Sequence, residues 1–206
     1  MPAPLHPRTR PRKTPKQERS REMVDVILEA AARVFVSLGY ARATTNRIAA
    51  AAGISVGSLY QYFPSKDAIA VELLRRYRES LVALVRGHMA TVARADLASV
   101  VRSLLEALLR PEGIDPELHR VLIERVLRTN ARAEMVGFEE RLERLLADVF
   151  RSAPAVIAVP DPELAAFVVV RAVLGAVQSA VVDRPAVDRS RLAEELTRLI
   201  VRYLEP

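Results

Sequence analysis

Residues 44–64 read TTNRIAAAAGISVGSLYQYFP, and this stretch decides the fold. Ile48 and Ala49 lie on the inner face of a short helix, and Ala49 is small enough for a second helix to cross closely. Gly53 can take the left-handed backbone that a tight turn requires. Ser55 is a good N-cap for the next helix. Two short helices joined by a glycine turn predict a helix-turn-helix unit.

The second helix of this unit, expected at residues 56–63, carries outward side chains that suit a DNA groove. Gly57 lets the backbone approach, Ser58 and Gln61 can exchange hydrogen bonds with base edges, and Val56 can touch a thymine methyl. A glycine-turn hairpin also occurs in ordinary helical bundles, so these outward residues, more than the spacing, favour DNA binding. The residues around them that could reach phosphates are Thr44, Thr45, Tyr60, Tyr62 and Lys66.

The chain on both sides of this unit shows helical periodicity. Apolar residues from Met23 to Leu38 recur at three- and four-residue spacings, and Gly39 suits a left-handed cap at the end of that first helix. Ser65 can cap a longer helix after Pro64. Sustained period-two alternation is missing from the sequence. We therefore predict an all-α chain of about nine helices.

Acidic residues mark the starts of the later helices. Asp96 is expected to open a helix that ends by Pro111, and the triplets at 115–117 and 161–163 both read Asp-Pro-Glu. Such a triplet gives a capping carboxylate, a proline at the first helical position and an acid in the first turn. The remaining helices are expected at about 116–130, 134–151, 161–182 and 188–204.

The basic excess lies at the N-terminus. Residues 1–21 carry seven Arg and Lys against one Glu, so they account for the whole net charge of +6. Five prolines and no apolar periodicity predict a flexible arm at residues 1–20. Such an arm can contact DNA, including the minor groove, or can serve only to keep the protein in solution.

Other compartments and anchors are disfavoured. The chain has no cysteine, which fits a reducing cytoplasm. The N-terminus lacks the apolar core of a secretory signal. The apolar segment 164–182 contains Arg171 near its middle, where a charge would cost roughly 2.5–3.5 kcal/mol in a bilayer. We interpret that segment as a buried helix of a cytoplasmic protein.

The sequence resembles the TetR family of regulators over roughly residues 22–75. The matching residues are Phe35, Gly39-Tyr40, Thr44-Thr45, Ile48-Ala49, Ala52-Gly53-Ile54-Ser55, Gly57-Ser58-Leu59-Tyr60, Tyr62-Phe63 and Ser65-Lys66. The resemblance implies a three-helix DNA-binding domain at 21–66 and a helical effector-binding and dimerisation domain at 67–206. Carried over by position, it makes Ser55 the cap of the recognition helix and supports the phosphate and base contacts named above.

The resemblance further implies a homodimer that presents two recognition helices to a roughly palindromic operator, most simply as a repressor released by a small-molecule ligand. The helices at 161–182 and 188–204 would pair with their copies. Apolar residues on them could form that interface or an internal core: Leu164, Phe167, Val168, Leu174, Val181, Leu192, Leu196, Leu199 and Leu204.

The ligand pocket is expected between about residues 66 and 180. Its possible polar contacts are His88, His119, Asn130 and Arg171. Apolar lining candidates are Met89, Leu105, Leu109, Leu122, Ile123 and Phe138. A lone histidine is more often exposed or hydrogen-bonded than part of a site, and an apolar residue at helical spacing is more often core, so the sequence does not identify the effector.

An enzyme is disfavoured. The seven glycines are scattered and form no phosphate-binding loop, and the three histidines at 6, 88 and 119 are far apart, with no metal-binding pair. Adjacent glutamates at 139–140 and 194–195 point differently around a helix and suit solvated faces better than acid–base catalysis. We expect no cofactor, metal or catalytic residue. The remaining alternative is an all-α interaction module that does not bind specific DNA.

Overall fold

The computed structural model describes residues 18–92, 96–109, 118, 122, 132–180 and 186–205, the side chains of 18, 19 and 132–136 excepted. Its elements are all helical in these ranges: α1 Glu18–Arg42, α2 Thr45–Ala51, α3 Val56–Tyr62, α4 Lys66–Met89, α5 Leu97–Leu109, α6 Arg132–Ser152, α7 Pro162–Gln178 and α8 Arg189–Leu204. The all-α prediction is confirmed. Residues 1–17 of the predicted arm lie outside the described residues. Residues 18–20 belong to α1, which begins at Glu18, five residues before the expected Met23. Of the predicted helix at 116–130, only Leu118 and Leu122 are described, and both are helical.

The chain divides into two compact units, Met1–Tyr77 with Glu117–Ala133, and Arg78–Pro116 with Glu134–Pro206. The division falls inside α4, whereas the sequence suggested a boundary at its first residue. Packing explains the difference. Ile69 and Leu74, in the first half of α4, are buried in the first unit, while Val82 and Val85 belong to the core of the second.

The first unit is built on α1, α2 and α3. The apolar face predicted for α1 is largely buried, and Ile27 and Phe35 are fully so. Ile48, Leu59 and Phe63 from the other two helices are also fully buried. Gly39 has φ 71° and ψ 160°, so its φ is positive as predicted. Its ψ is extended instead of left-handed helical, and one further helical turn follows to Arg42.

The second unit contains the rest of α4 with α5 to α8. Helix α5 packs along α8, and α7 also contacts α8. Two predicted caps are present: Asp96 accepts hydrogen bonds from the Ser99 N–H and hydroxyl at 2.9 and 2.8 Å, and Asp161 caps α7 with Pro162 in its first turn. The cap predicted at Asp115 lies outside the described residues. Helix α7 is α-helical to Gln178 and continues as π-helix at 179–180, and residues 181–182 of its predicted span lie outside the described residues. Among the described helices, none is long and apolar enough to cross a membrane.

Candidate nucleic-acid interface

Helix α2 begins and ends on well-formed caps. The Thr44 hydroxyl accepts a hydrogen bond from the Arg47 N–H at 3.3 Å. At the other end, the Gly53 N–H bonds the Ala50 carbonyl at 3.1 Å and the Ile54 N–H bonds the Ala49 carbonyl at 3.0 Å. This pair of bonds is a Schellman motif, which needs a residue with positive φ at its turn. Gly53 supplies it with φ 69°, so the predicted role of this glycine is confirmed.

Helix α3 begins on Ser55, as predicted. The Ser55 hydroxyl accepts a hydrogen bond from the Ser58 N–H at 3.0 Å, and the two serine hydroxyls lie 2.8 Å apart. The helix buries Leu59 and leaves Gly57, Tyr60 and Gln61 exposed. An added Cβ at Gly57 would meet only the Ser55 hydroxyl, at 3.8 Å. The outer face of α3 is therefore short, polar and open.

A second hydroxyl pair joins the two helices of the hairpin. The Thr45 Oγ1 and the Tyr60 phenolic oxygen lie 3.1 Å apart, one on α2 and one on α3. Both side chains belong to the set expected to reach phosphates. The pair presents neutral hydrogen-bonding groups that are already positioned on the surface of the first unit.

Lys66 is held by the last turn of α1 and by the residue that follows this helix. Its ammonium donates to the carbonyl oxygens of Tyr40 and Ala43 at 2.8 and 2.9 Å and lies 4.5 Å from the centre of the Tyr40 ring. The Tyr40 hydroxyl in turn bonds Asp67, and its ring packs against Phe35 at 5.3 Å. Two of the three ammonium N–H groups are thus engaged in holding the start of α4.

Sequence reasoning missed two basic residues at this site. Arg42 and Arg47 are both exposed. The Arg47 guanidinium donates to the Arg42 carbonyl at 2.6 Å, and the Arg42 guanidinium donates to the Leu38 carbonyl at 3.0 Å. Arg47 is the only Lys or Arg in residues 44–65, a signal that could have identified it.

An apolar cavity lies within the second unit. Its volume, counted as the space open to the centres of water molecules, is about 70 Å³, and its lining comes from α4 to α8 and the loop after α6. The eighteen lining side chains that the structure describes are all apolar, and Phe150 is the only aromatic one among them. Met89 and Leu105 are among them, as the sequence suggested.

The polar pocket candidates that the structure describes, His88 and Arg171, are not among the residues that line this cavity. The ring nitrogens of His88 lie 2.9 Å from the Leu84 carbonyl and 3.3 Å from the Ser103 hydroxyl. Leu122 is buried in the first unit, and His119, Ile123 and Asn130 fall outside the described residues. Leu109 is buried and Phe138 packs against the core, but neither lines the cavity.

Arg171 is half-exposed on α7 instead of lining the cavity. Its guanidinium pairs with Glu139 and, at 3.0 Å, with Glu143, and it stacks over the Phe167 ring at 5.1 Å. Both acidic partners lie on α6. A charge at this position of an otherwise apolar helix serves an ion pair between helices, which the sequence could not show.

Helices α7 and α8 keep apolar side chains at the surface. Leu164 is 57% exposed, Phe167 46% and Leu199 56%, and Val168 and Tyr203 are exposed as well. The face predicted from the sequence is split between surface and interior. Leu196 and Leu204 are buried, Leu174 lines the cavity, and Val181 lies outside the described residues.

Two family profiles match the chain. Residues 27–73 match the bacterial regulatory proteins of the tetR family. Residues 96–204, more than half of the chain, match the tetracyclin repressor-like C-terminal domain.

Individual proteins agree with the profiles. The chain is 33% identical over 121 residues to the HTH-type transcriptional repressor Rv1474c of Mycobacterium tuberculosis, an overlap of 59% of each protein. It therefore spans under two thirds of that relative's length. Similar folds are found in a tetR-family regulator from Mesorhizobium loti, with TM-score 0.73, 21% identity and 92% and 100% of the two chains covered. The Thermus thermophilus repressor FadR, solved with lauroyl-CoA, has TM-score 0.62, 21% identity and 87% and 94% covered.

Proposed function

The chain belongs to the TetR family of transcriptional regulators, and we propose that it acts as a homodimeric repressor that binds a roughly palindromic operator and is released by a small-molecule ligand. Membership of this family implies DNA binding and regulation of transcription. The dimer, the operator symmetry, the repressor sense and the individual contacts are our proposal. Its site of action would be the cytoplasm, where bacterial chromosomal DNA is found.

The outer face of α3 is the observation that carries the proposal. Val56, Gly57 and Ser58 form the N-terminal end of a short helix fixed by the Ser55 cap, and Gln61 is exposed one turn later beside the exposed Gly57. A helix-turn-helix places this end of its second helix against base edges in the major groove. We propose that Ser58 and Gln61 read bases by hydrogen bonds and that Val56 makes apolar contact.

Phosphate contacts would surround these readers. The hydroxyls of Thr44, Thr45 and Tyr60 are on the surface of the hairpin, and Tyr62 is partly exposed on α3. We add Arg47 because it is the only basic side chain of the hairpin. Two N–H groups of Lys66 donate to carbonyl oxygens, so we propose that this lysine positions α4 and does not neutralise a phosphate.

A homodimer would cover the apolar surface of α7 and α8. Leu164, Phe167 and Leu199 are each about half exposed, and contiguous apolar surface of this kind marks an association site. Two-fold pairing of α7 and α8 with their copies buries both helices in a four-helix arrangement. Dimer symmetry then sets the two α3 helices on half-sites about 34–36 Å apart, or a multiple of that distance.

Release by a ligand is supported by the cavity of the second unit. FadR of Thermus thermophilus has been solved with lauroyl-CoA, and the relative from Mycobacterium tuberculosis is named a repressor. A ligand shifts a regulator between two states only by its differential affinity for them. We propose that the occupied cavity favours a dimer whose α3 spacing no longer fits the operator.

Selection of genomic fragments by the purified full chain tests the proposal. We expect recovery of a short inverted repeat whose affinity falls steeply with salt. Tyr60→Ala and Gln61→Ala should weaken binding to it, while Glu140→Ala, an exposed residue of α6, should not. Weak binding without sequence preference would contradict the proposal and favour an interaction module that does not recognise specific DNA.

A further inference from the structure

We propose that the cavity of the second unit takes an alkyl chain with at most one polar end group, an assignment that rests on the ligand-responsive function proposed above. The cavity is the one lined by eighteen apolar side chains from α4 to α8.

The lining side chains that the structure describes offer no hydrogen-bonding group. A polar group placed inside without a partner loses its hydrogen bonds to water without compensation. Two polar residues adjacent in sequence to lining residues are engaged elsewhere. His88, beside Met89, lies within hydrogen-bond distance of the Leu84 carbonyl and Ser103. Arg171, beside Val170, pairs with two glutamates. A ligand with a charge or several polar groups inside the cavity is therefore excluded.

The cavity is large enough for such a chain. About 70 Å³ on this measure is several times the roughly 10–15 Å³ that one water molecule needs, yet a cavity without polar partners stays dry and binds apolar molecules. Four lining residues are only partly buried: Leu104 and Leu108 on α5, and Val173 and Leu174 on α7. This part of the lining is therefore the part nearest the solvent, and we infer that one polar end group of the occupant stays in water there.

Occupancy would act on the proposed dimer helices directly. Val169 and Val173 of α7 line the cavity, while Leu164 and Phe167 of the same helix are exposed. Helix α8 likewise contributes to both the cavity and the surface, with Ile200 in the lining and Leu199 exposed. An alkyl chain between them changes the packing of the two helices that we propose to meet their copies.

Isothermal titration of the full chain with 1-hexanol, 1-heptanol, 1-octanol and 1,8-octanediol tests the assignment. The affinity of the alkanols should rise about fourfold per methylene group until the cavity is full. The diol, with a polar group at both ends, should bind at least about tenfold more weakly than 1-octanol. Equal binding of 1-octanol and the diol, or no dependence on chain length, would overturn the assignment.

Two matched substitutions locate the binding. Val173→Thr adds a hydroxyl to the lining with little change of shape, so the preference for 1-octanol over the diol should fall severalfold. Val149→Thr, on α6 and partly buried outside the lining, should leave that preference unchanged. Leu104→Phe fills the cavity and should weaken 1-octanol about tenfold or more, which keeps the test informative if the threonine variant does not fold. Unchanged 1-octanol binding in Leu104→Phe would overturn the assignment.

Affinity for the selected DNA separates this inference from the proposed function. Alkanol binding that leaves DNA affinity unchanged supports the cavity assignment and contradicts release by a ligand. Sequence-specific DNA binding with no alkanol binding up to the solubility limit overturns the cavity assignment and leaves the DNA-binding function intact.

Discussion

At the scale of single residues, Lys66 shows how structure refines a role inferred from sequence. Family resemblance makes it a phosphate contact, while the structure gives its ammonium two backbone carbonyls and the face of Tyr40. The sequence could not reveal this because the carbonyls belong to residues more than twenty positions away. A lysine in such a place can serve DNA binding by fixing the hairpin instead of by neutralising a phosphate.

Lys66→Met separates the two roles. We expect unfolding free energy to fall by about 1–2 kcal/mol, because charge-assisted hydrogen bonds to carbonyls are lost. DNA affinity should fall, while the slope of its logarithm against the logarithm of salt concentration stays unchanged. Loss of a phosphate contact instead lowers that slope by about one. Titrations at several salt concentrations measure it, and a lower slope for Lys66→Met would contradict the positioning role.

At the scale of elements, the sequence predicted most of what lies close in the chain. The hairpin, its glycine turn and the Asp caps of α5 and α7 are confirmed because caps and turns depend on a few neighbouring residues. The helix start at Glu18 could not be predicted from apolar periodicity, because residues 18–22 contain no apolar side chain. The extended ψ of Gly39 is a detail of backbone geometry that a glycine in the sequence does not specify. The role of Arg171 could not be predicted either, because its two acidic partners lie on another helix.

Gly53→Ala tests the turn between α2 and α3. Nothing lies within 4 Å of an added Cβ there, so the cost comes from the positive φ alone. We expect a loss of about 1–2 kcal/mol in unfolding free energy by urea denaturation. Gly87→Ala, also in open space but within α4 and without positive φ, should stabilise the protein by about 0.5–1 kcal/mol. Equal effects of the two substitutions would contradict the backbone argument.

The ion network between α1 and α4 predicts a dependence on pH. Burial of the Glu72 carboxyl acts to raise its pKa, but hydrogen bonds and charges of Arg75 and Arg76 outweigh it, so the pKa lies below its usual value. Arg76 also pairs with Asp25 of α1. A lowered carboxyl pKa contributes stability that is fully present above the unfolded value, about 4.3, and is lost as pH falls through the folded one.

Glu72→Gln should therefore reduce unfolding free energy by about 1 kcal/mol at about pH 7, a modest figure because both arginines are partly exposed. The difference from the unmodified chain should vanish in acid, below the lowered pKa. Urea denaturation over this pH range measures both. A difference that persists in acid would show that the glutamine disturbs packing and not charge.

At the scale of the whole molecule, the exposed apolar surface of α7 and α8 predicts the oligomeric state. The sequence indicated that both helices carry apolar faces, but it could not separate surface from interior, because cavity-lining and exposed residues share the same apolar character. Leu196 and Leu204 are buried, whereas Leu164 and Leu199 are about 57% and 56% exposed.

Leu199→Glu combined with Leu164→Glu should convert the dimer to a monomer, since two carboxylates per chain would have to be desolvated at the interface. Sedimentation equilibrium measures the mass. Glu substitutions at two exposed alanines outside this surface, Ala41 and Ala51, serve as the control and should leave the mass unchanged. A protein that is monomeric before substitution would contradict the proposed dimer.

We propose above that the outer face of α3 reads bases. The ratio of the protein's affinities for the selected DNA sequence and for a scrambled sequence of equal length measures this readout. At fixed salt we expect a ratio on the order of 10³ or more for the unmodified chain. Gln61→Ala should lower it about tenfold or more, because a base-edge hydrogen-bonding group is lost, while affinity for the scrambled sequence stays the same. A substitution that weakens both sequences equally, or neither, would contradict base readout by this helix.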